Sequence, residues 1–424
     1  MMKLLLALLL VQQTPAVDPQ LAAQYFDEAR ALSAVDAGKL WGIPVYAPMI
    51  FVEPTTRQAV ANVQDAEGRL QKQGNVFVGT LPPEMIIANH ATRWSGTYWT
   101  MVRWPLPENR YVRRRLIAHE LFHRMQDTLR LPASDVANSH LAYGDGRILM
   151  RLEWRALAEA LMRAGNERRD AIADALLFRA RRRQLFPQAA REERLLELNE
   201  GLSEYTGFKL SGLPANVVSD RAAVQLGSYE TMDNFARAFA YASGPAYGLL
   251  LDAAATGWRK RLNAESDLGE LLRAAYKLAA PNSAQWQQRL AFYDAERMVR
   301  EETARAAERL AAEKQLRAKL VDGPTLSLPV MSKFSYGFDP NGAIPLEGLG
   351  TAYRNLNVTD EWGTLTVTGG SALLLRSERG ITGVVVAAPP DSTQPLKGAG
   401  WALELKEGWT VTREGEQWVV KRAS

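Results

Sequence analysis

The apolar positions of this chain change period along its length, and each change marks a different kind of structure. Over residues 19–37 they recur every three or four residues, the spacing of an amphipathic helix. From Ile43 the pattern shifts to short β-prone runs at 45–52, 75–78, 85–88 and 97–104, parted by Gly, Pro and Asn. Residues 55–73 carry a helical pattern between the first two runs, so 17–130 is expected to be an α/β unit around a small mixed sheet. The last of these strands stops at Pro105 and Pro107. Asn109 then stands where it can cap a helix running to about Arg130, and Leu131-Pro132 ends that helix. Ile117, Leu121 and Met125 are its apolar stripe.

From about Gly146 to Leu278 nearly everything follows the helical period, with breaks at Gly165-Asn166, Pro187, 207–214 and Gly257. The expected helical part is 131–285, followed by one long charged helix over 286–320 within a linking segment 286–322. Past Asp322-Gly323-Pro324 the period falls to two. Runs at 325–330, 363–368, 372–375, 383–387, 401–405, 409–412 and 417–421 read as strands, with a hairpin at Glu414-Gly415-Glu416. The segment 323–424 is therefore expected to be an all-β sandwich or barrel. The fold class expected for the whole is α+β, with a small mixed sheet and a mostly helical subdomain first and a β-rich domain last.

The start of the chain adds a location. Lys3 is followed by an unbroken apolar run over 4–11 and by Thr14-Pro15-Ala16, the pattern of a secretory signal peptide at 1–16. That run is too short to span a bilayer, and no later stretch is apolar enough to do so. The expected product is exported, periplasmic or extracellular. The chain has no Cys, which excludes disulfides, thiolate metal ligands and a cysteine nucleophile. Net charge is +4, and the Arg clusters at 113–115, 168–169 and 179–183 lie in Ala/Leu-rich helical patterns beside Glu and Asp. They read as solvated helix faces; with no interleaved aromatics or known module, nucleic-acid binding is not expected.

Chemistry enters at His119-Glu120-Leu121-Phe122-His123, which spells H-E-x-x-H inside the capped helix. Two imidazoles four residues apart lie on one helix face and can reach a single metal. Zn2+ takes such nitrogens near 2 Å and keeps one position for water in catalytic sites. Glu120, beside the first ligand, can take the proton from that water. One more protein ligand is needed, and without Cys or a further His in register a carboxylate is the natural choice. In Asn199-Glu200-Gly201-Leu202-Ser203-Glu204-Tyr205, Glu200 and Glu204 share a helix face, so one can bind metal while the other orients a ligand His. Glu153 is the alternative third ligand, nearer to His123 in sequence.

Asn-Glu followed four residues later by a carboxylate, with H-E-x-x-H before it, resembles the gluzincin metallopeptidases of the thermolysin type (the MA clan, zincin-like fold). The resemblance covers roughly 96–280. It implies zinc as cofactor, Glu200 as third ligand and Glu204 as the carboxylate supporting a ligand His. The stretch 124–199 is longer than the family's usual spacing, which an insertion of two helices would explain and which keeps Glu153 in play. Tyr241-Ala242-Ser243-Gly244 resembles the Tyr-x-x-Gly stretch of gluzincin aminopeptidases, which implies Tyr241 as donor to the oxyanion, with Tyr247 and His140 as alternatives. The strand at 98–104 is expected to carry substrate backbone along a sheet edge. The aminopeptidase signature Gly-x-Met-Glu-Asn is missing, which favours an endopeptidase over an exopeptidase. The expected function is a secreted zinc metallopeptidase acting on peptides or proteins. A cell-envelope binding or assembly protein on a peptidase scaffold, or a zinc hydrolase of a non-peptide bond, stand as alternatives.

Overall fold

The computed structural model describes residues 17–142, 144–339, 343–378 and 380–423. The expected signal segment at 1–16 lies outside the described residues. The fold is mixed α+β, with ten α-helices and two mixed sheets among the described residues. It divides into two compact units, Met1–Val299 and Arg300–Ser424. No described helix is long and apolar enough to cross a membrane.

The first unit opens with α1 (Pro19–Asp36), capped by the Asp18 carboxylate, which accepts from the Gln20 and Leu21 amides. Six strands follow: β1 (Met49–Val52), β2 (Gln58–Ala61), β3 (Gln71–Gln73), β4 (Val76–Thr80), β5 (His90–Trp94) and β6 (Thr97–Arg103). Their order is β3-β4-β2-β1-β6-β5, with β1 and β6 parallel and the other pairs antiparallel. Alternation splits the sheet between two apolar clusters. Met49, Phe51 and Val102 face the main core, while Ile50, Val52 and Met101 pack with Leu70 and Leu81 on the other face.

Two expectations fail here. Residues 55–73 are not a helix: the Glu53 carboxylate accepts from the Thr56 amide and hydroxyl, turning the chain into β2. Asp65 then gathers the Arg69 and Leu70 amides and the Ser95 hydroxyl into a fixed loop. The run at 85–88 is not a strand either; pairing begins at His90, in β5.

Nine helices complete the set: α2 (Arg110–Leu129), α3 (Gly144–Met162), α4 (Gly165–Leu185), α5 (Ala189–Leu196), α6 (Leu202–Leu210), α7 (Ala215–Tyr229), α8 (Ala238–Ala254), α9 (Leu268–Ala275) and α10 (Ala295–Arg317). Asn109 caps α2 as expected, its Oδ1 accepting from the Tyr111 and Val112 amides. Arg130, in the left-handed conformation, ends it. A π-turn, Glu197–Gly201, separates α5 from α6. The expected single helix over 286–320 is two pieces, because Asp294 adopts the left-handed conformation between a 3-10 segment, Ser283–Tyr293, and α10.

The Arg clusters are only partly solvated. Arg113 is buried against Glu28 and the Pro107 and Glu108 carbonyls, at 2.8 Å each. Arg179 and Arg182 are buried among Glu153, Glu193 and Glu197. Long helices with many Arg and Glu pack here by pairing those charges inside, which composition alone does not disclose.

In the second unit all ten strands among the described residues join one mixed sheet rather than a closed barrel. Its path runs from Leu396–Gly398 to Trp409–Glu414, and these end strands do not pair with each other. The longest strand is Gly363–Ser377, one element where two shorter runs were expected. Leu374 and Val384 pack on one face and Leu373 and Val385 on the other, so both faces carry apolar residues.

Candidate metal centre

α2 presents two rows of side chains to a cleft of about 450 Å³. Arg115, His119 and His123 form one row at intervals of four; Val112, Leu116 and Glu120 form the other. The π-turn and α6 pack across from α2 and bring Glu200 and Glu204 to the same place. On its other side the π-turn packs against α8, where Gly244 has no room for a side chain: a Cβ there would fall 2.3 Å from the Gly201 Cα. That contact also sets Tyr241 of α8 beside Glu200.

The geometry converges on one point. His119 Nε2 and His123 Nε2 are 3.1 Å apart, and Glu200 Oε2 is 3.3 Å from the first and 3.5 Å from the second. Ligands held at about 2.0–2.2 Å around a tetrahedral ion are themselves separated by about 3.3–3.5 Å. The neighbours of the rings fix which nitrogens face inward. His119 Nδ1 lies 2.8 Å from Glu204 Oε2, a carboxylate that only accepts, so Nδ1 carries a proton. His123 Nδ1 lies 2.9 Å from Gln126 Oε1, and the Gln126 amide nitrogen donates to the Pro132 carbonyl and Asn199 Oδ1, which orients that amide. Both Nε2 lone pairs therefore point at Glu200 Oε2, a buried oxygen with no hydrogen-bond partner of its own.

Three acceptors facing one another need a positive charge among them. A proton can supply it: burial disfavours the charged imidazole of His119, yet Glu200 and Glu204 outweigh burial and hold its pKa up at about 10. A divalent cation satisfies all three atoms at once, and two imidazole nitrogens with one carboxylate oxygen and no thiolate suit zinc among the divalent metals. Among the described residues, His119, His123 and Glu200 are the group able to hold a metal.

The remaining expectations sort by position. Glu120 lines the cleft, and burial, only partly opposed by the two His, raises its pKa above the ordinary carboxylate range. The Tyr241 ring stacks on His119, centroids 5.5 Å apart and nearly parallel. Burial and the neighbouring Glu200 hold its phenol well above the usual value, so it keeps its proton.

Glu153 is taken elsewhere. It is fully buried, 2.7 Å from Arg182 Nη1, and accepts the Tyr247 hydroxyl at 2.7 Å. That bond also removes Tyr247 from the cleft. His140 pairs with Glu193 at 2.9 Å, in the same ionic network, and does not line the cleft. His90 is in β5, its Nδ1 3.1 Å from the Ala88 carbonyl. The strand expected at the sheet edge, β6, is interior, because β5 pairs along it; the free edge beside α2 is β5.

Sequence reasoning missed Arg115, Gln126 and Arg237. The first two are four residues before His119 and three after His123, so helical spacing alone could have found them. Arg115 pairs with Glu204 and Gln225 and lies over the Phe208 ring at 4.0 Å. Arg237 donates to Glu200 Oε1 at 2.7 Å from a turn that no local pattern links to the site. Compared with protein-family models, curated proteins and solved structures, the chain matches none.

Proposed function

We propose that this chain is an exported zinc-dependent peptidase of the gluzincin type, with His119, His123 and Glu200 holding the metal. One observation carries the reading: three inward-facing lone pairs at tetrahedral spacing, with a buried carboxylate beside them. Bound there, zinc would supply Lewis acidity to a water molecule and to the substrate carbonyl.

The chain's own residues would do the rest. Glu120, its basicity raised by burial, accepts the proton of the attacking water and returns it to the leaving amine. Tyr241, kept neutral, is the donor for the developing oxyanion. Glu204 holds His119 in the tautomer with Nε2 free, and Gln126 does the same for His123. The free edge of β5 offers main-chain pairing to an extended peptide whatever its sequence, which suits an endopeptidase. Export rests on the pattern at 1–16.

The test is Glu120→Gln beside the parent chain, both loaded with zinc and offered a broad peptide library with and without chelator. The variant should keep its zinc and lose hydrolysis by about 10²–10⁴-fold. Equal hydrolysis by the two would overturn the mechanism. Zinc binding without cleavage of any peptide would favour the scaffold or non-peptide alternatives.

A further inference from the structure

Arg237 joins the proposed metal ligand to the protein surface. Its Nη2 donates to Glu200 Oε1 at 2.7 Å, and its Nη1 pairs with Asp135. The two carboxylates on this one guanidinium differ in kind. Glu200 is 3% exposed and held by the π-turn. The Asp135 side chain is 62% exposed, on the connection between α2 and the 3-10 turn Ser139–Leu141, and that of Arg237 is 51% exposed. An exposed ion pair of this sort contributes little to stability, so exchanging Asp135 for another carboxylate costs little.

The other cation lining the cleft offers no such exchange. Arg115 is locked between Glu204 and Gln225, both buried, and over the Phe208 ring. Arg237 also has donors to spare, since a guanidinium carries five N–H groups on a planar fork suited to carboxylates. Nη1 and Nη2 are neighbours on that fork. A carboxylate on Nη1 therefore lies within one or two residues' reach of Glu200, at about 3.3–3.6 Å per extended residue.

We infer that Arg237 is a specificity-determining residue that takes a substrate carboxylate where Asp135 now stands, so that favoured substrates carry a carboxylate within one or two residues of the scissile bond. The inference rests on the peptidase reading above. The carboxylate can come from an acidic side chain or from a free C-terminus. Asp135 acts as its internal stand-in, holding the guanidinium in place between substrates.

The test uses one neutral peptide sequence in four forms: C-terminal amide, C-terminal carboxylate, and the amide with an added Glu or Gln beside the scissile position. Binding is measured by calorimetry on the full chain as zinc-loaded Glu120→Gln, and kcat/KM on the zinc-loaded parent. Carboxylate forms should bind about tenfold more tightly than their neutral partners, with the gain in KM rather than kcat. The Glu and free-terminus arms tell the two sources apart. Asp135→Asn should widen the margin, and Arg237→Gln, with zinc content checked, should erase it.

Equal binding of charged and neutral forms, or a margin that survives in zinc-loaded Arg237→Gln, would overturn the inference. Should Arg237→Gln fail to hold zinc, Asp135→Asn decides, and an unwidened margin overturns it. Preferential binding without any cleavage would sink the peptidase reading and leave the role of Arg237 standing. Cleavage of all forms with equal kcat/KM would do the reverse.

Discussion

Replacing Glu153 or Glu200 by Ala separates the two carboxylates that compete for the third-ligand role. Glu153 is fully buried and touches Arg182 Nη1 at 2.7 Å, Arg179 Nη1 at 3.4 Å and the Tyr247 hydroxyl at 2.7 Å. Breaking a buried ion pair from one side costs about 3–5 kcal/mol, because the remaining charge stays desolvated. Arg182 keeps Glu193 at 2.6 Å and Arg179 keeps Glu197, which moves the cost toward the lower end. The orphaned Tyr247 hydroxyl adds to it. A net loss of about 3 kcal/mol corresponds to a fall in Tm of roughly 5 °C for a unit that runs from Met1 to Val299.

Zinc affinity in the folded Glu153→Ala protein should be close to that of the parent. Glu200→Ala should instead act mainly on zinc, although the metal-free protein also loses the buried carboxylate that accepts from Arg237 and faces both His. Its zinc affinity should fall by more than the roughly 10–100-fold typical of losing an outer partner. Thermal unfolding followed by near-UV circular dichroism, paired with zinc titration in a chelator buffer, reads both quantities. A Glu153→Ala protein that is stable but unable to bind zinc would refute the assignment of Glu200 and the geometry behind it.

Two further outcomes follow from the same contacts. Glu204→Gln places an amide N–H₂ against either His119 Nδ1–H or the Arg115 guanidinium, so zinc affinity should drop about 10–100-fold while the fold persists; unchanged affinity in a chelator competition would remove Glu204 from the site. Acid should destabilise the first unit. Burial works against the charged forms of Glu193, Asp267, Asp252 and Asp65, but Arg and Lys partners or amide and hydroxyl donors outweigh it and hold all four below the usual carboxylate range. Lowered folded-state values mean stability that is fully present above the unfolded values near 4 and is lost as pH falls below them. Glu197 and Glu120, pushed up by burial, act with the opposite sign but are fewer. Urea midpoints of the metal-free protein should therefore decline from pH 6 to pH 3, and a flat profile would contradict the direction of these shifts.

What the sequence made legible was what local rules govern. α2 was readable to within a residue because its cap, its apolar stripe and its stop are all written within a few positions. Glu200 and Glu204 were readable because a helical repeat of four puts both on one face, and the π-turn ahead of α6 leaves that pairing intact. The failures came where distant partners override local pattern. Residues 55–73 carry Ala59, Val60, Val63 and Leu70 at helix-like spacing, yet β1 and β4 on either side claim Ala59 and Val60 as a strand. β6 reads as the edge strand because it directly precedes the H-E-x-x-H helix, whereas β5 is short, half-buried and polar and so gives little sign of pairing.

The long interval between His123 and Glu200 is where the two kinds of information meet. Three helices, α3 to α5, occupy it. They do more than lengthen the chain. Arg179 of α4 binds both oxygens of Glu197, at 2.7 and 2.6 Å, in a site closed to water. Glu197 opens the π-turn whose fourth residue is Glu200. A π-turn carries one residue more per turn than the helix around it and forms where outside contacts hold it. On one side that contact is the buried Arg179–Glu197 pair, and on the other it is the close approach of Gly201 to Gly244. The helices of this interval thus supply an anchor for the turn that carries Glu200. Arg179, which reads as part of a solvated face in the sequence, is buried because it pairs with Glu197 at the start of that turn.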